Sequence, residues 1–452
     1  MYRSKDRQTP ALFPELFPLG GSLRADNRWM ILADMIPWEE LEEMYRGYFA
    51  VERGRPAKDS RLICGLLTVK HITRDSDEKV VERFLESPYV QWFCGYEAFV
   101  TEDEIDPSLL SKMRKRLGAK FFREFEDKLL DVLVTRKILR AGSHLLDASV
   151  IPANIEYPTD VKLLNRARVW LVACIGKMRR MFNLGKIRTY CKVARVMFVD
   201  FQKKRRKTGK VVRVMQGKMA RFVARNIRQF ESLLVKYGAE LTRRQREKFY
   251  RRLRVVKAFY EQQYQMWKTK TRSVSNRIVS LHLPHIRPIV RGKDGRNVEF
   301  GPKVLLSWVG GFAFMDKLGF EAYNDGLHLK ESLENYKKRF GKLPKDSTGD
   351  GIYGNRNNRA MLEEMGIRGG FKALGRPVKK YGSERRWLRK KQSLRNSRME
   401  GIIGHGKNHF GLDRIRYTIP DGEEIWTRNC LMAMNLMTAV KMLKKAEAKA
   451  AA

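Results

Sequence analysis

Apolar positions recur every three to four residues through most of the first 140 residues, the spacing of helices that bury one face. Trp29 to Tyr48 sets Met30, Leu32, Ala33, Ile36 and Leu41 among acidic groups. Past a turn at Gly54-Arg-Pro56, Asp59 or Ser60 can cap a helix carrying Leu62, Ile63, Leu66, Leu67 and His71. Ser76 starts another, with Val80, Val81, Phe84 and Leu85. A longer one, from about Pro107 to Val134, presents Leu109, Leu110, Met113, Leu117, Phe121, Phe122 and Phe125. The period then changes. His144 to Ile151 is a short apolar run with a single acid, Asp147, and Gly142 and Pro152 bound it; such a run reads as a buried strand.

Helical spacing returns from 161 to 275 in four stripes: Leu163 to Met181, Ile187 to Phe201, Met219 to Tyr237 and Phe249 to Trp267. Strand patterns resume at His285 to Val290 and, past a turn at Lys293 to Arg296, at Val298 to Val309, continuing to Phe314. A helix over Leu329 to Phe340, a short segment ending at Gly349-Asp350-Gly351 and a helix from Asn355 to Met365 follow. A strand near Gly370 to Leu374, a basic connection from Arg376 to Lys390, and helices over Arg395 to His409 and Asn429 to Lys445 complete the chain. Strands in the order β-β-β-α-β-α, with a carboxylate on the first, describe an α/β fold with an RNase H-like core. The expected organisation is an N-terminal all-α domain for DNA binding and dimerisation (1–140), the catalytic core (141–160 and 276–428), a basic helical insertion (161–275) and a C-terminal helix (429–452).

Charge sharpens this picture. The 452 residues carry 92 Lys+Arg against 50 Asp+Glu, a net +42, with 43% hydrophobic and 10% aromatic residues. That apolar content excludes a disordered polycation. Residues 161–275 hold 33 Lys+Arg and 5 Asp+Glu, so +28 of the excess lies on this one stretch. A solvated helix face normally mixes signs; this one does not, which points to a polyphosphate partner. Lys203, Lys204, Arg205 and Arg206, read as a loop between two helices, are its densest part. No run of about 18 apolar residues is present, so no membrane association is expected. The first residues lack a continuous apolar stretch, and the five cysteines are scattered without a paired spacing. Both features lead us to expect a reducing, cytoplasmic setting and no structural zinc. Arg53 to Pro56 has the form of a minor-groove hook, although a turn accounts for it as well. The seven histidines form no HExxH, and no GxxxxGK[ST] is present.

Three acids stand out by context. Asp147 lies within the apolar strand, Asp350 ends a segment between Gly349 and Gly351, and Glu400 sits among Arg395, Arg398 and Lys407. Asp346 is a fallback for the second. Two-metal phosphodiester cleavage needs about three such carboxylates from separate elements, holding cations ~3.5–4 Å apart. Oxygen ligands of this kind suit Mg²⁺. Glu400, Asn396 and Lys407 share one side of a helix, so a metal ligand there would be flanked by phosphate-binding groups.

The motifs around these acids resemble a known family. Leu146-Asp-Ala-Ser149 with Asn154 to Asp160, Glu299 to Lys303, Gly349-Asp350 with Tyr353, and Arg395-Asn396, Arg398, Glu400-Gly401, Lys407 and Phe410 to Leu412 resemble bacterial insertion-sequence transposases of the DDE class, in the group named after insertion sequence five. Gly54 to Ser76, Glu78 and Phe93 to Gly95 resemble that family's N-terminal helical domain. The resemblance implies that Asp147, Asp350 and Glu400 are a catalytic triad holding two Mg²⁺ ions, for which Mn²⁺ can substitute. It also implies DNA contacts from Lys303, Arg395, Arg398 and Lys407, alongside the basic insertion. The expected partners are double-stranded transposon ends and target DNA, with the chain a dimer or higher in a synaptic complex in the prokaryotic nucleoid. Two other readings stay open: a metal-dependent nuclease without strand transfer, and an inactive DNA-binding descendant of a transposase.

Overall fold

The computed structural model describes residues 1–2, 23–50, 54–102, 105–290, 298–372, 374–375 and 382–450. Arg53 of the expected hook and the expected turn at 293–296 lie outside these residues. The chain divides into two compact units, Met1–Ala153 with Pro302–Ala452, and Asn154–Gly301.

The first unit opens with α1 (Arg28–Met35), α2 (Trp38–Arg46), α3 (Ser60–Thr73), α4 (Asp77–Glu86), α5 (Pro88–Phe93) and α6 (Pro107–Thr135). Caps fix their starts. Asp59 accepts from the amides of Arg61 and Leu62 at α3, and Ser76 accepts from that of Lys79 at α4. Pro107 takes the first position of α6, where a missing N–H costs nothing. β1 (His144–Val150) follows.

The second unit then intervenes, with α7 (Asp160–Met181), α8 (Cys191–Lys203), α9 (Gly209–Tyr237) and α10 (Arg243–Thr269). The short strands β2 (Pro288–Val290) and β3 (Val298–Phe300) pair antiparallel. Its apolar stripes close on each other around Leu163, Leu171, Met219, Phe230, Phe249 and Phe259. The carboxylate of Asp160, at the head of α7, accepts hydrogen bonds from Gln216 and Gln263, each 3.0 Å long. It also pairs with Arg277 at 2.6 Å.

Back in the first unit come β4 (Lys303–Val309), β5 (Phe312–Gly319), α11 (Leu329–Phe340), β6 (Asp346–Thr348), α12 (Arg356–Glu364), β7 (Arg368–Gly369), α13 (Gly382–His409) and α14 (Gly422–Ala450). The sheet order is β5-β4-β1-β6-β7. β1 is antiparallel to β4 and parallel to β6; β4–β5 is antiparallel and β6–β7 parallel. As the central strand, β1 buries both faces, and for that reason its sequence reads as an unbroken apolar run.

Several boundaries differ from expectation, among them the strand expected near 370–374, which is Arg368–Gly369, and the last helix, which starts at Gly422. Helices α1–α6 and α14 share one apolar cluster with the sheet, through Leu66, Phe84, Phe121, Phe125, Leu145, Phe314, Leu431 and Leu436. The segments 1–140 and 429–452 therefore belong to the same compact unit as the sheet. The intervening unit runs from 154 to 301, wider than 161–275, and includes the strand expected over 285–290. β4 occupies the whole length of β1, from Val150↔Lys303 to Leu145↔Trp308, so that segment pairs with β3 instead. Residues 382–390, expected in a connection, are the first turns of α13.

Candidate active site

β1 and β6 run side by side in register, His144 opposite Ser347 and Leu145 opposite Thr348. Asp350 follows two residues after β6 ends at Thr348, on the side of the sheet where β6 runs beside β1, and both it and Asp147 lie close enough to Tyr353 for their charges to act on its hydroxyl. A Cβ on Gly349 would meet Leu146 Cδ2 at 3.3 Å, as that alignment requires, and Tyr353 Cδ2 at 2.6 Å. Only glycine lets Asp350 follow so closely. Asp350 then caps the turn Gly351–Gly354, accepting from the Ile352 amide at 2.9 Å.

Helix α13 is fastened over these strand ends by three side chains. Lys391 pairs with Asp346 at 2.7 Å and donates to Ser143 Oγ at 2.6 Å. Gln392 donates to the carbonyls of Gly349 and Gly370, the first at 3.1 Å. Arg395 reaches Asp147 Oδ2 at 2.7 Å, with the two side chains 12% and 20% exposed. The other carboxylate oxygen, Oδ1, accepts from the Ala148 amide at 2.9 Å.

Tyr353 lies fully buried beside this pair, and its hydroxyl has no hydrogen-bond partner among the described residues. Burial pushes its acidity far out of reach, and the charges of Asp325, Asp147 and Asp350 push it further the same way. The phenol is permanently neutral. Asp325 was not marked by the sequence, where Asn324-Asp-Gly326 reads as an ordinary turn. Folding brings that turn against the one after Asp350, with Asn358 Nδ2 donating to both the Gly326 and Tyr353 carbonyls, at 2.7 and 3.0 Å.

Not every expected site residue meets the others. Glu400 is exposed on α13, next to the buried Met399. Five residues past Arg395 it is turned ~140° from the side chain that reaches Asp147. Among the described residues, no three His, Cys, Asp or Glu side chains are grouped as a metal site. Lys407 is half-buried and Arg398 exposed on the same helix. Lys303 is held by Asp325 at 2.6 Å and by the Tyr323 carbonyl at 2.9 Å. Asp346, the fallback acid, is engaged by Lys391 and by Ser143 Oγ at 3.1 Å.

Residues 18–116 match a family described as Transposase domain (DUF772). A Rhizobium meliloti protein described as uncharacterized protein ORF8 in nfe locus is 38% identical over 144 residues, which cover 31% of this chain and 69% of that relative. The chain belongs to a transposase family. No solved structure matches it.

The second unit of this transposase-family chain is its most basic part. Residues 154–301 hold 38 Lys+Arg against 9 Asp+Glu, a net +29 of the +42. Lys203 ends α8, and Lys204, Arg205 and Arg206 are exposed in the loop to α9. Several cations lie over aromatic rings, Arg225 at 4.5 Å from the Tyr190 ring centre and Arg213 at 5.6 Å from that of Trp267. Recombinases that work through a covalent protein–DNA bond need an accessible hydroxyl. The hydroxyls of Tyr353 and Ser149, which the sequence places close to the acids, are both buried. Among the described residues, no helix is long and apolar enough to cross a membrane.

Proposed function

We propose that this protein is a DDE-type DNA transposase of the insertion-sequence class, with an RNase H-like core, that cuts element ends and joins the freed 3′-hydroxyl to target DNA. The observation that carries the reading is Asp147 on the central strand β1 of a β5-β4-β1-β6-β7 sheet, with Asp350 just past the end of its parallel neighbour β6 and α13 packed on both through Lys391 and Arg395. The transposase-domain match over residues 18–116 supports the same class of DNA chemistry.

The donor set fits a hard divalent cation. Two carboxylates beside Tyr353 offer oxygen ligands, and burial of Asp147 demands a cationic partner. Asp147 and Asp350 would hold Mg²⁺ or Mn²⁺, with Glu400 as the third carboxylate. Bound there, the ions supply Lewis-acid activation of the attacking oxygen and stabilisation of the leaving one. The protein's own part is positioning. Gln392 and Lys391 hold α13 in place, Lys407, on the same side of α13 as Glu400, would contact the scissile phosphate, Arg398 on the opposite side would contact the flanking backbone, and the neutral Tyr353 packs beside the acids. The exposed loop at 203–206 and the rest of the basic unit hold the flanking duplex through phosphates, which position DNA without reading its sequence.

The exposure of Glu400 favours one competing reading, a DNA-binding protein that retains the fold without the chemistry. Strand cleavage and strand transfer on DNA carrying the element's own ends separates the two. The proposal expects products with Mg²⁺ or Mn²⁺, none with a chelator, and near-complete loss in E400Q with DNA binding kept. Cleavage by E400Q at the wild-type rate removes Glu400 from the triad. Binding without cleavage under every metal condition leaves the DNA-binding reading in place.

A further inference from the structure

We propose that Arg395 is an exchangeable counter-ion for Asp147, closed on the carboxylate when no divalent cation is present and displaced by the cation when one enters. The inference rests on the reading of Asp147 as a metal ligand and adds how that ligand is kept when the metal is away.

Asp147 sits on the central strand with four-fifths of its side chain covered, and an uncompensated carboxylate there would be costly. Arg395 contributes compensation as an ion pair, with one amino group 2.7 Å from Oδ2. Elsewhere the same guanidinium is under-used. Its second amino group donates to the neighbouring Asn396 Oδ1 at 3.1 Å, and the buried Nε has no acceptor among the described residues. Arg114, by comparison, presents its fork to Asp77 with two bonds, at 2.9 and 2.5 Å. Arg395 instead keeps a donor spare, and a planar fork with a spare donor is suited to a phosphate oxygen.

A small doubly charged ion binds carboxylate oxygen more strongly than a delocalised guanidinium can. A divalent cation held by Asp147 and Asp350 would therefore compete with Arg395 for the Asp147 carboxylate. The released guanidinium remains on α13, held in place by Lys391 and Gln392 one turn earlier, beside the position a metal-bound phosphate would take. Arg395 is then a positioning residue with two partners in sequence: the Asp147 carboxylate, then the substrate.

The test is a Mn²⁺ titration of the full-length chain without DNA, followed by calorimetry, for wild type, R395Q, R395K and D147N. R395Q should bind Mn²⁺ about tenfold more tightly, the order expected when a partly buried ion pair no longer has to be broken first. R395K keeps a charge but loses the planar fork, and should show a smaller gain. It also serves as the test variant should R395Q melt below the assay temperature. D147N should lose the site. Unchanged or weaker Mn²⁺ binding in a folded Arg395 variant, with D147N still losing it, overturns the exchange while leaving the metal reading intact. Wild-type Mn²⁺ binding by D147N removes Asp147 from the ligands, and this inference falls together with the reading beneath it.

Discussion

Single side chains in this protein carry two kinds of consequence, for stability and for turnover. His144 is fully buried on β1 between Ser347 Oγ and Ser332 Oγ, at 2.9 and 3.0 Å. Burial lowers its pKa to about 4, mainly because the charged ring would be desolvated. An unfolded histidine titrates near 6.5, so the unfolded chain takes up the proton first. Stability from this residue is therefore full above pH ~6.5 and falls as pH drops towards 4, by about 3 kcal/mol in all. H144N should flatten the melting temperature against pH over that window, leaving the remaining histidine slope to His71, His282 and His405, which burial depresses in the same direction. Gly349 makes a second residue-scale point. An alanine there would put a methyl 2.6 Å from the Tyr353 ring, so G349A should lose about 1–3 kcal/mol in a denaturant titration through overpacking. For turnover, K407A should lower the cleavage rate more than DNA affinity, because a group beside the reacting phosphate acts most in the transition state. Equal loss of both would make Lys407 a docking contact.

Elements explain how far the sequence could be read. Helices with an apolar pattern and a cap, such as α3 behind Asp59, buried on nearly every face, and α4 behind Ser76, buried along one stripe, were legible because local chemistry and burial agree. β1 was legible for a different reason: one acid in an apolar run between Gly142 and Pro152 fits a buried strand and little else. The strand over 285–290 was visible as a strand, but its partner was not, since pairing is decided by which neighbour β1 accepts along its whole length. The reach of α13 was also hidden. Its first turns are too polar to announce a helix, and Gly404 and Gly406 interrupt its later ones. Gly406 has a packing reason: a Cβ there would meet Leu412 Cδ1 at 2.6 Å, so the turn after the helix folds back only onto a glycine. The Arg395–Asp147 ion pair joins residues 248 positions apart, and no periodicity encodes it. At this scale the prediction concerns the loop between α8 and α9. Reversing charge at Lys203, Lys204, Arg205 and Arg206 should flatten the dependence of log affinity on log salt. The slope should shrink by about 0.9 for every phosphate the loop no longer neutralises, equally for end sequence and random DNA. An unchanged slope would place the duplex on another face.

Across the molecule, charge and chemistry are segregated. The unit spanning 154–301 carries +29 and the remainder +13, while Asp147 and Asp350 lie in the less basic unit. On the proposed reading, long-range attraction to DNA and the cleavage chemistry would fall to different parts of the chain, and each could be removed without the other. The triad reading depends on this separation, because a carboxylate in the centre of a sheet contributes nothing to a phosphate backbone's attraction. Its most direct test is D147N with the rest of the chain intact. Filter binding and cleavage of end DNA are measured on the same preparation in Mg²⁺, with a melting curve to show that the fold is kept. We expect DNA affinity within about twofold of wild type, as for a residue that touches no phosphate, and cleavage reduced to background by loss of a metal ligand. Wild-type cleavage by folded D147N would contradict the assignment of this strand pair as the active centre.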